Sequence, residues 1–328
     1  CLHSSTFYTN NLNKEELIMK KFIKLVVLFI FSTIFLAACN DDEKVLEMPN
    51  QIETSAPPAS KSDYLISNQY QIDENHLSPN QDAREMFLIL HYTAITYQET
   101  LKRFGDENYQ ASSHYLIPEL PINNQFVIYR MVPDNKRAWH AGLSFWQGNR
   151  SLNASSIGIE IENLGFPEAD ENQPLMLRRW YPYASKKQIE VVAEVAKRVI
   201  NEYGITPSRV VGHSDIAPGR KFDPGPLFPW EQLYKEYNIG AWFDEDTVSY
   251  YKTYFPWKND VSDLQIKLSK YGYDINITGV YDQATTDVVS AFQMHFYPQK
   301  YDGQADIETV ARLDALLEKY RGQSRPAF

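Results

Sequence analysis

The chain has 328 residues, 43% of them apolar, enough for one large domain with a sizeable core plus a smaller one, which excludes a disordered protein. A formal net charge of −10, with no long lysine and arginine cluster, leaves no basic face for gripping phosphates, so no nucleic-acid partner is expected. The two cysteines, Cys1 and Cys39, both lie outside folded-looking segments, which excludes a disulfide framework.

From Met19 the chain reads Met-Lys-Lys-Phe-Ile-Lys, then an apolar stretch over 25–35, then Leu36-Ala-Ala-Cys39. A basic start, a short apolar stretch and small residues before a cysteine define a secretory signal peptide over 19–38. A single-pass helix is the alternative, but the stretch is short for a bilayer span and ends in a polar, acidic segment. The Leu-Ala-Ala-Cys run resembles a bacterial lipobox. It implies cleavage before Cys39, lipid on its sulfur and new amino group, and a periplasm-facing lipoprotein on the outer or the inner membrane. Residues 1–18 read as an upstream extension, with translation expected to start at Met19. Residues 39–80 are polar and carry Pro49, Pro57, Pro58 and Pro79, the composition of a tether.

The amino-terminal part of 81–240 is rich in strand signals. Met86-Phe-Leu-Ile-Leu90 is an unbroken apolar run, as in a strand buried on both faces, and it delivers His91 at its carboxyl end, where α/β sheets place their chemistry. His91 taken alone reads equally as a core histidine. Residues 97–104 predict a short helix, and 112–117 and 126–132 two strands. In Arg137-Ala-Trp-His-Ala-Gly142, Trp139 and His140 either line a polar groove or pack inside. Ser156-Ile-Gly-Ile-Glu-Ile-Glu162 alternates, so Ile157, Ile159 and Ile161 share one face and Glu160 and Glu162 the other. That second face is either solvated or aimed at a centre that uses a carboxylate for proton transfer.

Ser185-Lys-Lys-Gln188 has the form of a capping box. Ile189, Val192, Ala193, Ala196, Val199, Ile200 and Tyr203 follow at helical spacing until Gly204. A strand, 209–212, then leads into His213-Ser-Asp-Ile-Ala-Pro-Gly-Arg-Lys-Phe-Asp223-Pro-Gly-Pro226. This loop is stiffened by prolines and glycines and has a possible metal ligand at each end. By itself the pair His213 and Asp223 fits a metal site, or a loop whose aspartate caps a turn.

Five segments occur in one order: Leu90-His91-Tyr92-Thr93-Ala94, Ser113-His114-Tyr115-Leu116, the 137–142 run, Ser156-Ile-Gly-Ile-Glu160-Ile-Glu162-Asn163, and 212–226. Together they resemble the zinc-dependent N-acetylmuramoyl-L-alanine amidases of the type 2 amidase family over about 81–240. The resemblance implies an α/β fold, a mixed central sheet flanked by helices, of the kind shared with peptidoglycan recognition proteins. It implies Zn2+ held by His91, His213 and Asp223, Glu160 as the catalytic acid and base, and Lys221 as the stabiliser of the oxyanion. Trp139, His140 and Asn153 fall where the family contacts substrate. The reaction implied is hydrolysis of the amide between N-acetylmuramic acid and L-alanine in peptidoglycan or muropeptides, for wall turnover or recycling.

Residues 241–260, rich in tyrosine, tryptophan and phenylalanine, read as a connector packed between domains. Helices are predicted from Asp263 to Gly272, Thr285 to Phe296 and Thr309 to Tyr320. With Gly-Val-Tyr-Asp282 and Val289-x-x-Phe292-Gln293, the segment 261–321 resembles the small all-α, three-helix peptidoglycan-binding domain found beside wall hydrolases. Either it binds wall or it supports the amidase; 322–328 is a tail. Two other functions share these residues: a non-catalytic muropeptide-binding protein on the same fold, and a metal-dependent protease or other amide hydrolase.

Overall fold

The computed structural model describes residues 78–183 and 185–327, which belong to one compact unit. The upstream extension, the signal peptide, Cys39 and the tether as far as 77 lie outside the described residues. Among the described residues no helix is long and apolar enough to cross a membrane.

The sheet is built around strand β1 (Phe87–Tyr92), whose Phe87, Leu88, Ile89 and Leu90 are fully buried. Its partners are β2 (Tyr115–Ile117), β3 (Tyr129–Arg130), β6 (Ser156–Ile161) and β7 (Val210–Gly212), in the order β3-β2-β6-β1-β7. β1, β2, β6 and β7 run parallel, and β3 is antiparallel to β2 at the edge. The predicted strand 126–132 shortens to those two residues plus Met131, whose N–H reaches His114 O at 2.9 Å. β-propensity alone does not extend an edge strand that has one neighbour. A small hairpin, β4 (Phe145–Trp146) and β5 (Asn149–Arg150), was not foreseen.

β6 pairs with β2 on one edge and β1 on the other and is buried along its whole length, so neither of its faces is solvated. Just beyond its end, Glu162 clamps backbone, accepting from Tyr97 N at 2.7 Å and Glu119 N at 2.8 Å. That places it at the start of helix α1 (Tyr97–Phe104). Helix α2 (Lys186–Tyr203) buries Ile189, Val192, Ala193, Ala196 and Val199, the predicted apolar face, and ends on Gly204 in the left-handed region. Its capping box is half formed. Ser185 Oγ accepts from Gln188 N, while the Gln188 side chain donates to Glu162 O at 2.9 Å, tying the helix to β6.

After β7 come one short helical turn, α3 (His213–Ile216), and helix α4 (Trp230–Tyr237). The connector contains a helix of its own, α5 (Glu245–Tyr254). It packs along α8 (Ile307–Arg321), joined by Tyr251 to Glu318 at 3.1 Å and by a Lys252–Glu308 ion pair. The three predicted helices are thus present as α6 (Val261–Tyr271), α7 (Gln283–Phe296) and α8, with α5 as a fourth member. Each begins two residues before its predicted start. Asp260, Asp282 and Asp306 accept from the N–H three residues on, which fixes the first turn ahead of Asp263, Thr285 and Thr309.

The bundle and the sheet share one hydrophobic core. Trp146 sits edge-on to Tyr273, with ring centroids 4.8 Å apart, and its Nε1 donates to Ser208 O. Asp215, buried on α3, accepts from Gly212 N at 2.8 Å and from Tyr273 OH at 2.7 Å, and lies 2.7 Å from His295 Nδ1 on α7. The His295 ring is itself stacked between Trp230 and Phe296.

Candidate metal centre

Register explains why residues far apart in sequence meet. His91 of β1 pairs directly with Glu160 of β6, and Leu90 pairs with Gly212 of β7, so Glu160, His91 and His213 emerge from three consecutive strands. Neighbouring parallel strands are about 4.8 Å apart, close enough for their side chains to share one site. His91 Nδ1 lies 3.1 Å from His213 Nδ1 and 2.8 Å from Asp223 Oδ2, and His213 Nδ1 is 3.1 Å from the same oxygen. All three residues are buried.

The loop that carries Asp223 is pinned to the strand ends. Ser214 N donates to Asp223 O at 2.9 Å, Tyr183 OH to Pro224 O at 3.0 Å, and Arg220 Nη2 to Ala141 O at 3.0 Å and to Leu143 O at 2.6 Å. Gly212 makes the closure possible: a Cβ there would lie 2.7 Å from Pro224 Cδ. The Asp223–Pro224 bond is cis.

The electrostatics favour a cation. Burial pushes His91 down to about 4, so its ring is neutral at pH 7 and offers a lone pair. Burial works against ionisation of Asp223, but His213 and His91 outweigh it and hold the carboxyl well below the usual range. Glu160 is in the opposite condition: burial, then the charge of Asp223, raises it well above the ordinary value, with Lys221 opposing. Its Oε2 is buried without a hydrogen-bond partner.

Two imidazole nitrogens and a carboxylate oxygen form a donor set suited to zinc. Tetrahedral bonds of 2.0–2.1 Å put neighbouring donors roughly 3.3 Å apart, close to the separations of 2.8–3.1 Å here. The residues fit a divalent ion, and Glu160, with its orphaned oxygen, lines the same cavity.

The centre opens into a cavity of about 650 Å³ whose walls include Tyr92, Arg103, Trp139, Phe166, Arg178 and Lys221. Trp139 is half exposed on that wall. His140 also borders the cavity but is buried, with both ring nitrogens engaged by His91 and Ser156. Asn153 faces backbone instead, its Oδ1 accepting from His140 N at 3.0 Å and Ala141 N at 2.7 Å. Arg178, sandwiched between the Phe166 and Phe222 rings at 4.5 and 4.6 Å, escaped the sequence reading because it lies in an irregular segment with neither periodicity nor motif.

A mixed sheet that converges two histidines, an aspartate and an unpaired glutamate at the floor of an open cavity defines a hydrolytic α/β enzyme with a candidate metal centre. Residues 81–226 match the family described as N-acetylmuramoyl-L-alanine amidase, and 258–313 match a peptidoglycan binding domain. AmiD from Escherichia coli K12 is 41% identical over 257 residues, covering 76% of this chain and 89% of that protein. AmpD from Enterobacter cloacae, a 1,6-anhydro-N-acetylmuramyl-L-alanine amidase, is 30% identical over 189 residues, covering 52% and 93%. Among solved structures, E. coli AmiD in complex with anhydro-N-acetylmuramic acid-L-Ala-D-gamma-Glu-L-Lys superposes with a TM-score of 0.69 at 40% identity, covering 77% of this chain and 96% of that one. AMPDH3 from Pseudomonas aeruginosa gives 0.68 at 40% identity, covering 77% and 99%. The chain belongs to the N-acetylmuramoyl-L-alanine amidase family.

Proposed function

We propose that the centre holds Zn2+ through His91 Nδ1, His213 Nδ1 and Asp223 Oδ2, and cleaves the amide between the lactyl group of N-acetylmuramic acid and L-alanine in muropeptides. The observation that supports this best is the mutual approach of those three donor atoms, all buried, beside an unpartnered carboxylate. Zinc with an open coordination position supplies a Lewis acid and brings the pKa of a bound water to about 7. The chain's own groups do the rest. Glu160 takes the proton of the attacking water and returns it to the leaving amine; its burial raises its proton affinity to suit that exchange. Lys221, on the cavity wall and close enough to act on both Glu160 and His91, offers an ammonium to the charge that collects on the carbonyl oxygen. Trp139 offers a flat apolar face for the sugar or the stem peptide.

The same reading places the enzyme at the cell wall, tethered through lipid on Cys39 and facing the periplasm, with 258–313 adding contact to murein. Mass analysis of the mature amino terminus checks the anchor. The activity is checked by incubating the protein with purified muropeptides, with and without a chelator. Release of intact stem peptide that stops on chelation and returns with zinc is expected. Cleavage elsewhere in the substrate, or turnover in a rigorously metal-free preparation, refutes the assignment.

A further inference from the structure

We propose that His140 is a positioning residue: with Ala141, Asn153 and Ser156 it fixes which ring nitrogen of each histidine donor carries the proton, so that both Nδ1 lone pairs face the metal centre. The inference rests on the metal reading above and concerns how this chain prepares that site.

The proton assignment starts at a backbone carbonyl, which accepts only. Ser156 Oγ lies 2.6 Å from Leu152 O, so its single hydrogen is committed there. Its other contact, His140 Nε2 at 3.1 Å, must then donate to it. The two nitrogens of His140 face a hydroxyl and another imidazole, with the rings of His91 and His114 5.1 and 5.7 Å away, surroundings that contain no anion to balance a second proton. With Nε2 protonated, His140 Nδ1 is the acceptor, and at 3.0 Å it receives the Nε2–H of His91. His91 Nδ1 is left with its lone pair, 3.1 Å from His213 Nδ1.

His213 reaches the same state by a separate contact. Its Nε2 is 3.1 Å from Ala141 O, another acceptor, and 3.5 Å from Arg220 Nη2, whose two hydrogens go to Ala141 O at 3.0 Å and Leu143 O at 2.6 Å, so the proton of His213 sits on Nε2 and its Nδ1 is free to ligate. Both assignments therefore hang on residues 140 and 141, whose N–H groups both point at Asn153 Oδ1. β6 is shaped around the device: a Cβ on Gly158 would come within 2.6 Å of the His140 ring. A ligand imidazole whose far nitrogen is held by a fixed acceptor keeps its orientation and basicity, and removing such a partner weakens metal binding by about 10–100-fold.

The test is zinc affinity of the full chain, measured by competition with a chromophoric chelator. His140→Phe keeps a ring without the acceptor and is expected to bind zinc about 10–100-fold more weakly. His140→Gln restores an acceptor for His91 Nε2–H and should recover most of the loss. Ser156→Ala, a smaller change, should weaken binding several-fold. Long-range 1H–15N spectra of the zinc-loaded wild type should show Nε2–H on both His91 and His213, a reading that needs no variant to fold. A folded His140→Phe protein with wild-type affinity, or a ligated Nε2 in the spectra, overturns the inference and leaves the zinc assignment standing. A wild type that binds no zinc overturns both.

Discussion

Glu160→Gln separates the catalytic role proposed for the carboxylate from what it costs the fold, because the two effects have opposite signs. The amide is isosteric but has no useful proton affinity, so general-base help is lost. That help is typically worth 10²–10⁴-fold, a rise of about 2.7–5.5 kcal/mol in the barrier. Stability moves the other way. In the metal-free protein Glu160 is buried, its Oε2 has no partner, and its folded pKa lies well above 4.5. A carboxyl with a raised folded pKa holds more proton in the native than in the unfolded state, so its presence lowers stability as pH rises from the unfolded value through the folded one. Above that window the unsatisfied charge costs at least about 1–3 kcal/mol. Metal-free Glu160→Gln is therefore expected to be more stable than wild type by about that amount at pH 8, with the gap closing below the ordinary carboxylate range near pH 4. Urea unfolding across that pH range, with kcat for stem-peptide release from muropeptides, reads both effects. A variant that turns over near the wild-type rate, or one less stable than wild type at pH 8, refutes the reasoning.

Three further outcomes are expected. Lys221→Met should lower kcat by about 10²-fold or more while leaving zinc content unchanged, since in the proposed mechanism the ammonium acts on developing charge and not on the ion; a change confined to KM contradicts this. Gly158→Ala should destabilise by about 1–3 kcal/mol and weaken zinc binding together, because its methyl drives into His140. Equal zinc affinity in a destabilised protein would argue that the ring yields without disturbing His91. Trp146→Ala should cost about 3–5 kcal/mol in the unfolding of the whole chain, because the indole is buried where sheet and bundle meet; two separate transitions, with the sheet unaffected, would show that the two parts are energetically independent.

Much of the architecture was legible because its signals are local. The apolar run before His91 and the periodic face of α2 report burial directly, and the alternation around Glu160 marks a strand but not the burial of its carboxylate face; all three elements are where their patterns put them. The meeting of His91 with Glu160 was not in either strand. It comes from parallel register between segments almost seventy residues apart in sequence, which only the ordered set of motifs could suggest. The missed helices have physical reasons too. α5 lies in a stretch so aromatic that no single face stands out, and α3 is one turn, too short for any period. His140 and Asn153 fall in segments that resemble the family's groove, and a sequence does not say which way a side chain points. The structure turns one toward His91 and Ser156 and the other toward backbone.

The turn His213–Ile216 begins with a candidate metal donor and carries, two residues later, the aspartate held by Tyr273 and His295. A protease that nicks the carboxyl-terminal helices would strip Asp215 of both partners and loosen the residue that presents His213. Degradation of such an enzyme then starts by disarming it. Loss of activity should track the first cut in the bundle instead of the last cut in the sheet.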